Sequence, residues 1–229
     1  MWARGVNYCA MSREQILLAL IPAAYVIGSI PVGLIVGRAK GIDPRLGGSG
    51  NIGATNLGRL LGGRIFALVF SLDLLKGALP TLAAGALLRF EPANRAGYLL
   101  WILVGFAAVM GHLFSLFLRF KGGKGVATST GVLVGIYPYF TIAAIIAVIV
   151  WLVVFGITRY VSVGSIVGSL SFPLAYVAIG TVCGWPILDA QLPLLIFAVL
   201  MAMLIVFKHR GNIARLRAGT ENRFAGKSV

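Results

Sequence analysis

The chain has 229 residues, of which 59% are hydrophobic and only 11% charged, with a formal net charge of +14 and a mean hydropathy of +0.95. Soluble domains carry about 25% charged residues, so this composition excludes an ordinary soluble fold and leaves no length for a second, soluble domain. Nor does the basic excess point to nucleic acid: no aromatic–basic platform accompanies it, whereas cytoplasmic loops and anionic ligands both account for it.

The first dozen residues, MWARGVNYCAMS, are not followed by a small-residue cleavage site with polar sequence after it. Residues 14–37 are therefore expected to be a retained first span, behind an N-terminal extension over 1–13. Further apolar stretches follow at 64–88, 97–118, 126–137, 139–157, 163–182 and 192–208. Most approach the ~20 residues needed to cross the hydrocarbon; 126–137 is short, and as a re-entrant segment it would break the parity. Seven crossings place Arg38, Lys40, Arg45, Arg59, Arg64, Arg119, Lys121, Lys124, Arg159, Lys208, Arg210, Arg215, Arg217, Arg223 and Lys227 on one side. Arg4, Arg13, Arg89 and Arg95 fall on the other, and Lys76 inside a span. This asymmetry predicts an all-α integral membrane protein, a bundle of about seven transmembrane helices. Its N-terminus is expected outside, and its C-terminus, with a tail over 222–229, in the cytoplasm. Cys9 and Cys183 form neither a metal spacing nor a disulfide framework. The pairs Gly33/Gly37, Gly131/Gly135 and Gly164/Gly168 read as close helix packing.

Three polar segments interrupt the oil, and the topology brings all three out on one side. In the first, KGIDPRLGGSGNIGATNLGR (40–59), Gly48 and Gly50 allow backbone N–H groups to turn inward as an anion nest. Ser49, Asn51, Thr55 and Asn56 add side-chain donors there, and Arg45 and Arg59 add charge at either end. Its letters match a dinucleotide-binding fingerprint, but no βαβ context exists. In the second, Lys121, Gly122, Gly123, Lys124 and Gly125 open directly into a helix, whose free N–H groups and positive end favour phosphate. The third holds His209, Arg210, Asn212, Arg215 and Glu221; His209 and Asn212 share a face if the last helix continues beyond the membrane. That segment also suits an amphipathic tail resting on anionic headgroups.

Inside the spans, Asp73 and Lys76 stand at i, i+3 and are expected to neutralise each other, with Lys76 alternatively adding charge to a cavity floor. His112 reads as a satisfied interior histidine. The six carboxylates include no pair at metal-ligand spacing within a helix, so neither metal nor other cofactor is expected. Phe117 and Ala214 occupy the fifth position after His112 and His209, so the H-x-x-x-x-D constellation of many acyltransferases is missing, as is a G-x-S-x-G elbow.

The motifs GSGNIGATN (48–56), GH (111–112) with FKGGKGVAT (120–128), RYVS (159–162) and HRGNIARLRAGTE (209–221) closely resemble those of the acyl-phosphate-dependent glycerol-3-phosphate acyltransferases of bacteria, the PlsY type. The likeness runs from Gly28 to Glu221; Ser115, at a position where the family pattern has proline, is the one departure noted. The resemblance implies seven helices in the inner membrane with the motifs cytoplasmic. It also implies transfer of a fatty acyl group from acyl phosphate to the 1-hydroxyl of sn-glycerol 3-phosphate. The products would be lysophosphatidic acid and inorganic phosphate, in the first step of phospholipid biosynthesis. It carries functional roles to Ser49, Asn51, Arg59, Lys124, Ser162, His209 and Asn212. A mixed anhydride is already activated, so positioning two anions and stabilising phosphate charge suffices, without metal or covalent intermediate. The proton of the attacking hydroxyl has two candidate acceptors, His209 and a substrate phosphate. The expected partners are the two substrates and the bilayer, with the protein acting as a monomer. The competing class is a transporter or channel for phosphorylated anions, which ordinarily shows broken helices and repeats around a midplane site.

Overall fold

The computed structural model describes residues 11–92 and 94–224; Arg4, Cys9 and Lys227, with most of the N-terminal extension and the end of the tail, lie outside them. All the regular structure among the described residues is helical. The first span is two helices, α1 (Arg13–Ser29) and α2 (Val32–Ala39). Ser12 opens α1 with a reciprocal cap to Gln15. Pro31, which lacks an N–H, divides α1 from α2 and holds Ile30 out of helical geometry. The 40–53 segment leads into an unexpected short helix, α3 (Ala54–Leu61), and Gly62, at φ +93°, turns it into α4 (Gly63–Leu87). Ala54 and Leu57 fix α3 by burying against Val32 of α2 and Val69 of α4.

Asn94 caps α5 (Arg95–Leu113). The stretch expected as one helix to residue 118 stops at Leu113 and resumes only as a single 3-10 turn, Leu116–Leu118. Ser115 therefore sits beyond the end of α5, though still inside the apolar stretch Arg95–Leu118. Its hydroxyl donates to the Ser29 carbonyl at 2.5 Å, joining the ends of α5 and α1. There follow α6 (Val126–Gly135), α7 (Thr141–Thr158), α8 (Val161–Val182), α9 (Leu192–Lys208) and α10 (Arg210–Arg217). The last helix does not run straight out of the membrane: α10 bends from α9 by 51° at His209.

Five helical stretches, Arg13–Ala39, Gly63–Leu87, Arg95–Leu118, Thr141–Thr158 and Val161–Val182, are long and apolar enough to cross a bilayer, and α9 with its bent continuation makes a sixth. The seventh expected span, α6, has ten residues and so covers about 15 Å, half the hydrocarbon. It runs away from the end of the bundle where α4 begins, and α7 runs back, so α8 starts again at that end.

The helices pack mainly as α1 on α5, α4 on α6 and α7 on α8. Without a hydrophobic drive between helices in lipid, close approach of small residues supplies the packing energy. A side chain on Gly111 would overlap the Tyr25 carbonyl of α1, and one on Gly131 the Leu74 carbonyl of α4. Gly164 and Gly168 likewise let α8 approach Trp151 and Ala147 of α7. At the far end, opposite the polar segments, Arg95 at the start of α5 pairs at 2.5 Å with Asp189 in the connection between α8 and α9. Gly131→Ala gains helix propensity but forces α6 off α4; a net loss of about 1–3 kcal/mol is expected, read as a lowered melting temperature in detergent. An unchanged or higher melting temperature would contradict the backbone contact.

Candidate active site

All three polar segments reach one cavity of about 100 Å³ at the end of the bundle. Ser49, Asn51, Thr55, Asn56 and Arg59 line it from the first segment, Lys124 and Gly125 from the second, and His209, Asn212 and Glu221 from the third. Ser162, at the start of α8, and Asp73 and His112, from α4 and α5, complete the set of sequence-derived candidates there. Residues separated by more than 150 positions thus meet because the chain, after running to the far end, returns repeatedly to this one.

The first segment is a self-bonded loop more than an open nest. The Gly50 N–H donates to the Gly47 carbonyl, and the Ser49 N–H to Asn56 Oδ1 at 2.8 Å. The buried Asn56 amide donates in turn toward the carbonyls of Pro44, Gly47 and Asn51 at 2.8–3.1 Å. Asn56 is therefore the clasp of the loop. Gly48 and Gly50 shape it through positive φ of +59° and +68°, and neither lines the cavity. Arg45 is held away by a forked contact with Asp43, Nη2 to Oδ2 at 2.5 Å. The cavity instead receives the start of α3, where the Ala54 and Thr55 N–H groups make no hydrogen bond among the described residues. The Arg59 Nη2 donates to the Asn222 carbonyl at 2.9 Å, while its buried Nε has no partner among the described residues. A guanidinium cannot give up its proton, so that N–H awaits an acceptor.

The second segment also uses its glycines differently from the expectation. Gly122 and Gly123 donate to the carbonyls of Leu113 and His112 at 3.1 Å each, leaving neither N–H for a phosphate. A side chain on either would meet the end of α5. They seat the loop so that Gly125, at φ +84°, starts α6 with Lys124 facing the cavity. Lys121 is exposed and does not line it.

Lys124 Nζ donates to Asn212 Oδ1 at 2.6 Å, and Asn212 Nδ2 donates to Glu221 Oε1 at 2.6 Å. Since an ammonium only donates and a carboxylate only accepts, this fixes the amide's orientation. Glu221 also accepts from Ser162 Oγ at 2.8 Å through Oε1 and from Arg215 Nε at 2.8 Å through Oε2. Burial alone would raise its pKa, but the hydrogen bonds from Asn212, Ser162 and Arg215 outweigh it and hold the carboxyl below its ordinary value of 4.5. Arg215 thus acts on the cavity only through Glu221, and Arg210 lies outside, over the Phe207 ring.

Burial lowers Lys124 to about 8, despite the opposing charge of Glu221. Burial likewise lowers His209 to about 4. The imidazole is therefore neutral; its Nδ1–H donates to the Ile205 carbonyl at 2.7 Å, so Nε2 carries the lone pair. Beneath the cavity, Lys76 Nζ lies 2.9 Å from Asp73 Oδ1 and donates to the Ile30 carbonyl at 2.8 Å and to His112 Nδ1 at 3.2 Å. Lys76 does not line the cavity; its charge is spent within this cluster.

Phe66, Phe70, Trp151 and Ser165 also line the cavity and escaped sequence reading. Trp151 had a signal, being the only side-chain donor between Thr141 and Thr158 in a helix of hydrocarbon; it donates to Ser165 Oγ at 3.3 Å. These four side chains border a second, apolar cavity of about 290 Å³ between α4, α6, α7, α8 and α9.

A polar, cationic chamber at one end of a helical bundle, continuous with a lipid-sized apolar space, defines an integral membrane enzyme handling a small anion and an acyl lipid together. A family model described as glycerol-3-phosphate acyltransferase matches residues 18–219. Curated glycerol-3-phosphate acyltransferases of Geobacter sulfurreducens and Aquifex aeolicus are 43% and 41% identical, over 93% and 90% of this chain and 99% and 98% of theirs. Two crystal structures of PlsY, an integral membrane glycerol 3-phosphate acyltransferase, match at TM-scores of 0.79 and 0.77 with 39% and 38% identity. Each alignment covers 92% of this chain and 96% of the other; one is the glycerol 3-phosphate form and the other the lysophosphatidic acid form. The chain belongs to the glycerol-3-phosphate acyltransferase family.

Glu221→Gln turns an all-acceptor into a group whose NH2 must face a donor, with an expected loss of about 1–3 kcal/mol. The sign with pH follows from the lowered pKa: the carboxylate's contribution is complete above about 4.5 and lost as pH falls through the lower folded value. Thermal melts of wild type should therefore weaken below that pH more steeply than those of Glu221→Gln. Parallel acid limbs would contradict the network.

Proposed function

We propose that the chain transfers a fatty acyl group from acyl phosphate to the 1-hydroxyl of sn-glycerol 3-phosphate, giving lysophosphatidic acid and inorganic phosphate. The observation that carries this reading is the junction of two spaces, one holding Arg59 Nε, Lys124 and free α3 N–H groups, the other lined mainly by apolar side chains, with Ser129, Thr130, Ser165 and Ser169 among them. One substrate must be a small phosphorylated alcohol, and the other a phosphate joined to an acyl chain. A transporter would place its site near the midplane, whereas these donors collect at one end.

The hydroxyl oxygen attacks the acyl carbonyl, the carbonyl–phosphate C–O bond breaks, and phosphate leaves with that electron pair. Arg59 and Lys124 hold phosphate charge in a chamber lined by Phe66, Phe70 and Trp151, where water screens little. Ser49, Asn51, Ser162 and Asn212 orient the hydroxyl and the carbonyl. His209 Nε2 accepts the hydroxyl's hydrogen bond, but an imidazole near 4 keeps no proton at neutral pH. The proton passes to a substrate phosphate, a stronger base with a second pKa of about 6. The acyl chain lies in the apolar cavity, whose wall residues Val148 and Leu152 are exposed at the lipid-facing surface, so the donor enters sideways from the bilayer.

The protein is taken as a monomer in the bacterial inner membrane, where its apolar helical stretches suit a bilayer. Its cationic end faces the cytoplasm, as the excess of Lys and Arg at that end supports.

In detergent, phosphate release from palmitoyl phosphate should require glycerol 3-phosphate; flux of phosphorylated anions into liposomes without that chemistry would favour the transporter instead. Lys124→Ala and Ser49→Ala should each lower turnover, the former by about a hundred- to a thousand-fold, and unchanged turnover removes the role given to that residue. Because the free enzyme's Lys124 sheds its proton near pH 8, kcat/KM for glycerol 3-phosphate should fall as pH rises through about 8. Lys124→Arg, charged throughout, should lack that alkaline limb; an identical limb in both proteins assigns the titration elsewhere.

A further inference from the structure

The apolar cavity has a floor. It shares Val126, Trp151 and Ser165 with the polar chamber. From these, its lining continues to Leu133 on α6, Ala144 on α7 and Phe172 on α8, each seven residues farther along its helix. On α9 it runs from Ile205 to Ala198, again seven residues. Four helices thus stop contributing at the same depth, about 10 Å by the rise of an α-helix.

What closes the space is aromatic. The Phe172 ring stands edge-on to Phe140 at 4.9 Å, and Phe140 packs edge-on to Tyr176 at 5.0 Å. All three are buried, and Tyr176 is held in place by donating to Gln191 Oε1 at 2.9 Å. Immediately on the chamber side of this plug, Ala144 and Ala198 present only methyl groups, and that is what leaves room. The route around the plug is lateral, past Val148 and Leu152, which are 43% and 53% exposed and face lipid.

We propose that Phe172, with Ala144 and Ala198 above it, sets how many methylenes of the donor's acyl chain the enzyme recognises. This rests on the acyl-phosphate reading and deepens it. Carbons above the plug leave water or lipid for a shaped protein surface on each turnover. Carbons beyond it must turn out into the bilayer, where they gain nothing over the free donor. Acyl recognition is therefore graded to a fixed depth and indifferent after it.

The experiment measures kcat/KM for straight-chain acyl phosphates from butyryl to stearoyl with the full-length protein in detergent and saturating glycerol 3-phosphate. For wild type, kcat/KM should climb by up to about four-fold per methylene, equivalent to ~0.8 kcal/mol, and then level at a break. Phe172→Ala should move the break to longer chains, and Ala198→Leu or Ala144→Leu to shorter ones. The readout is the position of the break, which does not depend on absolute rate. Ala198→Val is the milder substitute should the leucine variants not fold. A profile without a break, or a break at the same length in every variant, overturns the assignment while leaving the acyltransferase reading intact. Absence of glycerol 3-phosphate-dependent turnover with every chain length overturns both.

Discussion

The arrangement depends on one carboxylate. Arg59 and Lys124 line the chamber with Arg215 behind Glu221, and without compensation their mutual repulsion and desolvation would push the tail segment back into water. Glu221 offsets this from within the fold, taking Ser162, Asn212 and Arg215 as donors. Its oxygens are filled by those three groups, so it restrains the cations without occupying the anion's place. Asn212 then passes the constraint to Lys124 as an oriented amide. A direct carboxylate–ammonium pair would have neutralised the lysine; an intervening amide positions it and leaves its charge for a phosphate. The same carboxylate closes the tail over α8, so the third polar segment is part of the site and not a surface appendage.

A second set of charges lies deeper and is spent entirely on itself. Lys76 forms an ion pair with Asp73 and donates to His112 Nδ1 and to the Ile30 carbonyl, which also accepts from the Val32 N–H just past Pro31. A proline break in lipid is tolerated only where something else satisfies the backbone, and here the Ile30 carbonyl is shared by the Val32 N–H and the Lys76 ammonium. His112 in turn contributes the carbonyl that receives Gly123. The path from Pro31 through Lys76 and His112 to the Lys124 loop is a chain of direct contacts. It explains why charges so expensive in hydrocarbon sit beneath the chamber.

Six of the seven expected spans were readable because hydropathy reports solvent, and the bilayer is a solvent of known thickness; α6 is apolar too but half the needed length. Convergence of the three segments was readable from parity, because each crossing returns the chain to one of only two ends. What failed to show was the use of polar atoms at short range. KGGKG and GSGNIG both look like phosphate nests. Yet Gly122, Gly123 and Gly50 direct their N–H groups to nearby carbonyls, and the free donors belong to Arg59 and the start of α3. Arg45 looked available until Asp43, two residues away, claimed it. Helix α3 itself was hidden because its eight residues bury only two apolar side chains, Ala54 and Leu57, and lie between Gly47, Gly48, Gly50 and Gly53 on one side and Gly62 and Gly63 on the other. Those losses share a cause: which acceptor a donor finds depends on backbone direction, and composition does not encode direction.

The seam between the two cavities follows from the chemistry that must occur there. Attack on a carbonyl develops charge within a few ångströms of an alkyl chain, so donors aimed at oxygen must adjoin surfaces that welcome carbon. Trp151 meets both requirements in one side chain, its ring facing the apolar space and its N–H fixed on Ser165. Phe66 and Phe70 close the opposite wall from α4, leaving little high-dielectric material near Arg59 and Lys124. Low polarity at the seam strengthens each cation's hold on phosphate, yet the same low polarity lowers Lys124 toward neutrality. Glu221, acting through Asn212, limits that loss. The ammonium is thereby left poised between the two demands, charged at neutral pH and still incompletely solvated, which is the condition in which it binds an arriving phosphate most strongly.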